Sequence, residues 1–154
     1  MKWFFLLAAL SLSGPASSQA DERIGVWQLT CSGGPCQMFF SITSPETDDF
    51  VIGLSMIYDT SRQLATLVIR TPKLTALPPG ARVTLENGET NDIEFQFCDD
   101  DGCSAFLPMT DGLEKTIAEQ TTLNVAYIQY GRQVPTAIEV PIEGFKAALE
   151  RLER

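Results

Sequence analysis

Asn-Asp-Ile-Glu-Phe-Gln-Phe-Cys-Asp-Asp-Asp-Gly-Cys-Ser-Ala-Phe-Leu-Pro-Met, residues 91–109, is the stretch whose reading decides the fold. Ile93, Phe95 and Phe97 alternate with Glu94 and Gln96, the period-two pattern of a half-buried strand, and a second short apolar run follows. Between the runs lies a tight acidic turn, Asp99-Asp100-Asp101-Gly102, bounded by Cys98 and Cys103. A bond between those thiols would pin the register across the turn, where a one-residue slip would carry Phe95 and Phe97 to the solvent face. The stretch therefore reads as a stapled hairpin in the core of a β protein.

Working outward, the same layout occurs near the start of the chain. Ile24 to Cys31 and Gln37 to Thr43 are apolar-rich runs around Ser32-Gly33-Gly34-Pro35, a strand, turn, strand pattern ending in Cys31 and Cys36. Four cysteines allow three pairings; their grouping into two close couples favours Cys31 with Cys36 and Cys98 with Cys103, and pairing between the couples stays open. Loops this short stabilise by only about 2 kcal/mol each in the chain-entropy model, so such bonds act mainly as register clamps.

The remaining segments are strand-like. Phe50 to Tyr58 places Phe50, Ile52, Leu54, Met56 and Tyr58 on one face, which should pack on a second layer, and Leu64 to Arg70 reads as its partner. Three prolines and a glycine in Thr71 to Gly80 mark a connection, and Asn87-Gly88 is a strong hairpin signal after the short strand Ala81 to Leu85. A short helix is expected within Asp111 to Gln120, and strands over Thr122 to Tyr130 and Val134 to Val140. After Pro141, the residues Ile142, Phe145, Leu149 and Leu152 fall on one helical face, so a terminal amphipathic helix should lie against a sheet. The expected fold is all-β, an antiparallel β-sandwich with a short C-terminal helix and two local disulfides.

Lys2, an apolar run from Trp3 to Leu12 and small residues at Ser18 and Ala20 are the three parts of a secretory leader, with cleavage expected after Ala20. The run is too short for a bilayer span, so no transmembrane segment is expected after cleavage. The expected organisation is a leader over residues 1–20 and a single domain over residues 21–154. Export to an oxidising compartment, periplasmic or extracellular, agrees with paired cysteines. The full chain has 11 basic and 20 acidic side chains; loss of Lys2 leaves 10 against 20, a net charge of −10. Without clustered Lys and Arg, a nucleic-acid partner is disfavoured.

Histidine is absent from the whole chain. That removes Ser-His-Asp and Cys-His catalysis, the usual general base near neutral pH and the commonest metal ligand. Phosphate-binding and dinucleotide motifs are missing as well. The cysteines could in principle hold zinc, but their hairpin setting and exported context favour disulfides. Asp99, Asp100 and Asp101 could offer oxygens to calcium or a partner; the loop lacks the spaced ligands of a calcium loop, and a solvated acidic turn is favoured. Carboxylate pairs could run glycoside hydrolysis without histidine, yet no pair stands out. Met38, Phe39 and Phe40 cannot all face one core: an outward Phe39 would be an interaction site, and a strand buried on both faces is the competing expectation. No catalytic residue, metal site or cofactor is expected.

Several features together resemble the invasion-associated locus B (IalB) family of exported proteins, found mainly in alphaproteobacteria. They are Trp27 four residues before Cys31, Leu77-Pro78-Pro79-Gly80 before a short strand, Phe97-Cys98 to Gly102-Cys103 followed by Ala105, and the closing Gly144-Phe145 with Ala148 and Leu152. Two departures are the short segment between the first two cysteines and Ala118-Glu119 where a Lys-Gly turn is usual. The resemblance implies an all-β sandwich with a terminal helical segment, located in the periplasm or associated with the outer membrane. It also implies a non-enzymatic role, with an unidentified protein or envelope component as partner; the namesake members are linked to entry into host red cells. The alternative is a carbohydrate- or small-molecule-binding, or hydrolysing, β-sandwich protein.

Overall fold

The computed structural model describes residues 21–31 and 36–153. The expected leader and the Ser32-Gly33-Gly34-Pro35 turn lie outside the described residues. Among the described residues, eleven strands form two antiparallel sheets, with two short helices. The larger sheet holds β1 (Glu22–Ile24), β2 (Trp27–Thr30), β3 (Gln37–Thr43), β4 (Phe50–Asp59), β5 (Leu64–Thr71), β8 (Phe95–Asp99) and β9 (Gly102–Pro108), in the order β1-β2-β3-β4-β5-β9-β8. The smaller comprises β6 (Ala81–Thr84), β7 (Thr90–Ile93), β10 (Thr122–Tyr127) and β11 (Thr136–Pro141), in the order β11-β10-β6-β7.

Alternation along the strands builds the core. In the larger sheet the cross-strand rows Leu29, Met38, Met56, Leu67, Leu107 and Phe40, Leu54, Ile69, Ala105, Phe95 face inward. Val83, Leu123, Val125 and Val140 meet them from the smaller sheet. A buried hydroxyl ties the layers: Tyr127 on β10 donates to the Val51 carbonyl on β4 at 2.9 Å.

Two helices close the core. Helix α1 (Asp111–Ala118) starts at Thr110, whose side chain accepts from the Leu113 N–H, and it buries Ile117. Helix α2 (Phe145–Leu152) lies along β1 to β4 and buries Phe145, Ala148, Leu149 and Leu152, as the apolar spacing predicts. Phe145 meets the fully buried Trp27 edge-on at 5.6 Å between ring centroids, with Phe40 on another side of the indole at 6.1 Å. Entry into α2 needs close backbone approach: Gly25 and Gly144 both have positive φ, and a Cβ on either would run into the other segment's carbonyls.

The expected local disulfides form, Cys31–Cys36 and Cys98–Cys103, and Cys98 and Cys103 are direct cross-strand partners. The 91–99 segment departs from the sequence reading in two ways. It is two strands rather than one, because the chain leaves the smaller sheet after Ile93 and joins the edge of the larger at Phe95. An irregularity between Phe95 and Phe97 then breaks their alternation, so Phe95 packs on the core while Phe97 is 50 % exposed. The stapled hairpin thus forms the sheet's edge, not its centre. Likewise a bulge opposite Ile42 and Thr43 takes Phe50 off the inward face of β4, and its ring lies over Gly53.

Candidate functional site

The two sheets differ in what they show to solvent. On the smaller sheet the outward residues are small or polar: Thr84, Arg82 paired with Asp92, Asn124, Ala126, Ala137 and Glu139. On the larger sheet, Phe39, Ser55, Val68 and Phe106 form one outward cross-strand row, with Ile57 on one side and Arg70, Ser104 and Phe97 on the other. None of its apolar members belongs to the core cluster. Both helices and the smaller sheet contribute their buried residues to the core on the inner face, so this outer face has no covering element among the described residues.

Period-two geometry explains the split at Met38-Phe39-Phe40. Met38 and Phe40 point inward, and Phe39 stands half-buried on the outer face. Its direct cross-strand neighbours are Gln28 and Ser55; Val68, beyond Ser55 in the same row, is only 8 % exposed, while Ile57 is 40 % exposed at the margin. Phe97 and Phe106 approach at 5.8 Å between centroids. The surface is thus a row of aromatic and aliphatic groups interrupted by serines, a type of apolar area that marks contact sites.

The acidic turn lies at the rim of the same face. Arg70 binds Asp99, and Asp101 lies 3.9 Å from the same guanidinium. The Asp99 carboxylate also accepts the Asp101 and Gly102 N–H groups at 2.8 and 3.2 Å. These contacts, the Arg70 hydrogen bond first, hold its carboxyl below the usual aspartate range. Asp99 is therefore a turn anchor, while Asp100 and Asp101 point to solvent. Phe39 and the turn share a face but stand four strand spacings apart, about 19 Å. They border one surface without forming a compact pocket, and no group of His, Cys, Asp and Glu able to hold a metal occurs among the described residues.

A cleft of about 290 Å³ between the two helices is lined by Glu114, Glu119, Glu150 and Glu153 with Lys115 and Lys146. Burial, followed by the nearby Glu153 and Asp111 charges, raises the Glu114 carboxyl above its ordinary range. Four carboxylates and two ammonium groups give a protonation-sensitive surface, and its lining includes no serine, threonine or cysteine.

Of the outer-face residues, Phe39 was legible from three consecutive large apolar side chains. Ile57, Val68 and Phe106 were not singled out, and Phe97 was read as a core residue. The available signal was apolar residues at positions of β4, β5 and β9 that alternate with core residues, seen against the polar outward positions of β10 and β11.

Residues 27–153 match the family model described as Invasion associated locus B (IalB) protein. Among solved structures, the chain is similar to the crystal structure of invasion associated protein b from Bartonella henselae, with a TM-score of 0.77 and 18% identity over 86% of this chain and 95% of that one. No curated protein matches in sequence. The structural likeness shows a shared fold.

Proposed function

The chain belongs to the invasion associated locus B family, and from that premise we propose that it is an exported, non-enzymatic envelope protein that acts by binding through the outer face of its seven-stranded sheet. One observation carries this reading: Phe39, Ile57, Phe97 and Phe106 line a sheet face that no other described element covers, while the opposite outer face of the molecule is polar. Aromatic groups on a rigid sheet can be desolvated by a partner with little ordering cost, which suits them as binding anchors. Export is supported by the leader-like N-terminus and by two closed disulfides. The histidine-free sequence supports a binding role over catalysis.

The partner is proposed to be a protein or other component of the cell envelope, and the invasion association in the family's name motivates testing host-cell membranes in parallel. The test is a cross-linked pulldown from the native cell and from host membranes, run with the wild type and a Phe39→Ser/Phe106→Ser variant of matched thermal stability. A discrete partner retained by the wild type and lost by the variant supports the proposal. Equal retention by both, or no retained partner from either source, overturns it.

A further inference from the structure

Four of the most exposed large apolar side chains lie away from the outer sheet face: Leu74 (72 %), Leu77 (47 %), Tyr130 (77 %) and Val134 (74 %). They belong to two segments, residues 72–80 and 128–135, that the fold ties together at one end of the molecule. Thr75 and Gln129 form an isolated antiparallel bridge. On either side of it the Ala76 N–H donates to the Ile128 carbonyl and the Tyr130 N–H to the Leu74 carbonyl, each at 2.7 Å. Pro72, Pro78, Pro79 and Pro135 stiffen the same segments. These side chains therefore project from a braced platform, and exposing them to water has no counterpart in core packing.

We propose that this end is a membrane-contact tip, whose Leu74, Leu77, Tyr130 and Val134 enter the interfacial region of a lipid bilayer while Lys73 and Arg132 remain at the level of the phosphates. Charge supports the orientation. Neither segment contains an acidic residue, although the chain has 20, and each carries one cation, Lys73 or Arg132. Acidic groups border it: the Asp99–Asp101 turn follows Cys98, which lines the same open hollow of about 710 Å³ as Leu77 and Tyr130, Glu94 lies beside Gly80, and Asp92, near Pro79 and Pro135, is paired with Arg82. Arg70 binds Asp99 and approaches Asp101. Asp92, Glu94 and Asp99 to Asp101 against Arg70, Lys73, Arg82 and Arg132 leave this end with a formal charge of −1, whereas the chain without its leader-like segment carries −10. Among approaches to an anionic bilayer, this one meets less repulsion than the rest of the acidic surface would.

Lipid fits the shape better than a protein partner. Single side chains standing around an open hollow offer no flat complementary patch, and mobile headgroups and acyl chains fill such relief without a void. A tyrosine with flanking aliphatic and basic residues is also the combination that settles at a membrane interface. This tip is separate from the outer sheet face, and its test does not depend on the partner proposed for that face.

The test is flotation with vesicles of phosphatidylglycerol and phosphatidylethanolamine, and with phosphatidylcholine alone. It uses the protein in the form the cell accumulates, its N-terminus established by mass spectrometry. The wild type is expected to float with both, more strongly with the anionic mixture. Leu74→Ser/Tyr130→Ser, which alters only exposed groups and should keep the wild-type Tm, is expected to lose partitioning by roughly tenfold or more. Lys73→Gln/Arg132→Gln should remove only the preference for the anionic mixture, and Phe39→Ser should float like the wild type. Absence of flotation, undiminished flotation of the Leu74/Tyr130 variant, or loss in Phe39→Ser instead would each overturn the tip. So would self-association that disappears in the Leu74/Tyr130 variant without any vesicle binding, which would assign the same residues to a second copy of the chain.

Discussion

Substituting Trp27 tests how α2 is held against the large sheet, and therefore why that sheet's inner face is closed while its outer face is open. The indole is fully buried between Phe145 and Phe40, and its ring N–H has no acceptor among the described residues. Trp27→Ala should cost about 3–5 kcal/mol, because the site cannot collapse around so large a void. Trp27→Phe should behave differently. The smaller ring loses roughly 2 kcal/mol of burial and packing, but it also removes a buried donor whose unmade hydrogen bond costs about 1–3 kcal/mol. The net change should lie within about 1 kcal/mol of the wild type. Urea unfolding followed by far-ultraviolet circular dichroism separates the two cases, since the alanine variant's midpoint should fall by about 2–3 M for a typical m-value. A double-mutant cycle with Phe145→Ala should return about 0.5–1.5 kcal/mol of coupling for the edge-on pair. If Trp27→Phe proves as damaging as Trp27→Ala, the indole N–H is bonded and the apolar description of the site is wrong. A coupling indistinguishable from zero would mean that α2 does not dock through Phe145.

Other expectations follow from the two sheets and their clamps. Tyr127→Phe removes the hydroxyl bonded to the Val51 carbonyl and should lower stability by about 0.5–1.5 kcal/mol in urea unfolding. Burial raises the Tyr127 phenol above its ordinary pKa, so its contribution is complete below the unfolded-state value and is lost as pH rises through the folded one; Tyr127→Phe should flatten the alkaline limb of a Tm-against-pH profile above about pH 10. Glu86 accepts from the Thr121 hydroxyl and from the Thr121 and Thr122 N–H groups, which lower its pKa; its contribution is present above the unfolded-state value and is lost as pH falls through the folded one. Glu86→Gln should therefore flatten the acid limb of the same profile, and an unchanged limb would contradict that role. Cys98→Ser/Cys103→Ser should cost about 2 kcal/mol, measured as a lower urea midpoint with little change in m-value.

Much of the architecture was readable because local signals agreed. Paired cysteines flanked turns, apolar runs marked β2, β3 and β5, alternation marked β4, Asn87-Gly88 marked a hairpin, and the spacing of Phe145, Leu149 and Leu152 marked α2. The errors arose where a long-range choice overrode a local pattern. Ile93, Phe95 and Phe97 look like one face of one strand, yet the sheet change after Ile93 and the irregularity at Gln96 divide them among two sheets and an exposed edge. Phe50 fits the alternation of Ile52, Leu54 and Met56 until the bulge displaces it, and no residue type announced that bulge. The outer face was legible only at Phe39, because deciding which side of a strand faces solvent requires knowing where the second layer and the helices sit. Leu74, Tyr130 and Val134 lie in segments read as a connection and as strand ends, and only the Thr75–Gln129 bridge brings them together.

The central claim is that the molecule binds through the apolar outer face of its larger sheet, and site-specific photo-cross-linking in the native cell tests it most directly. A photoreactive residue placed in turn at positions 39, 57 and 106 on that face, and at 124 and 139 on the polar outer face of the smaller sheet, reads out which surface is occupied. The account predicts one common adduct from the first three positions and none from the other two. Adducts from 124 and 139 alone, or equally from all five, would contradict it.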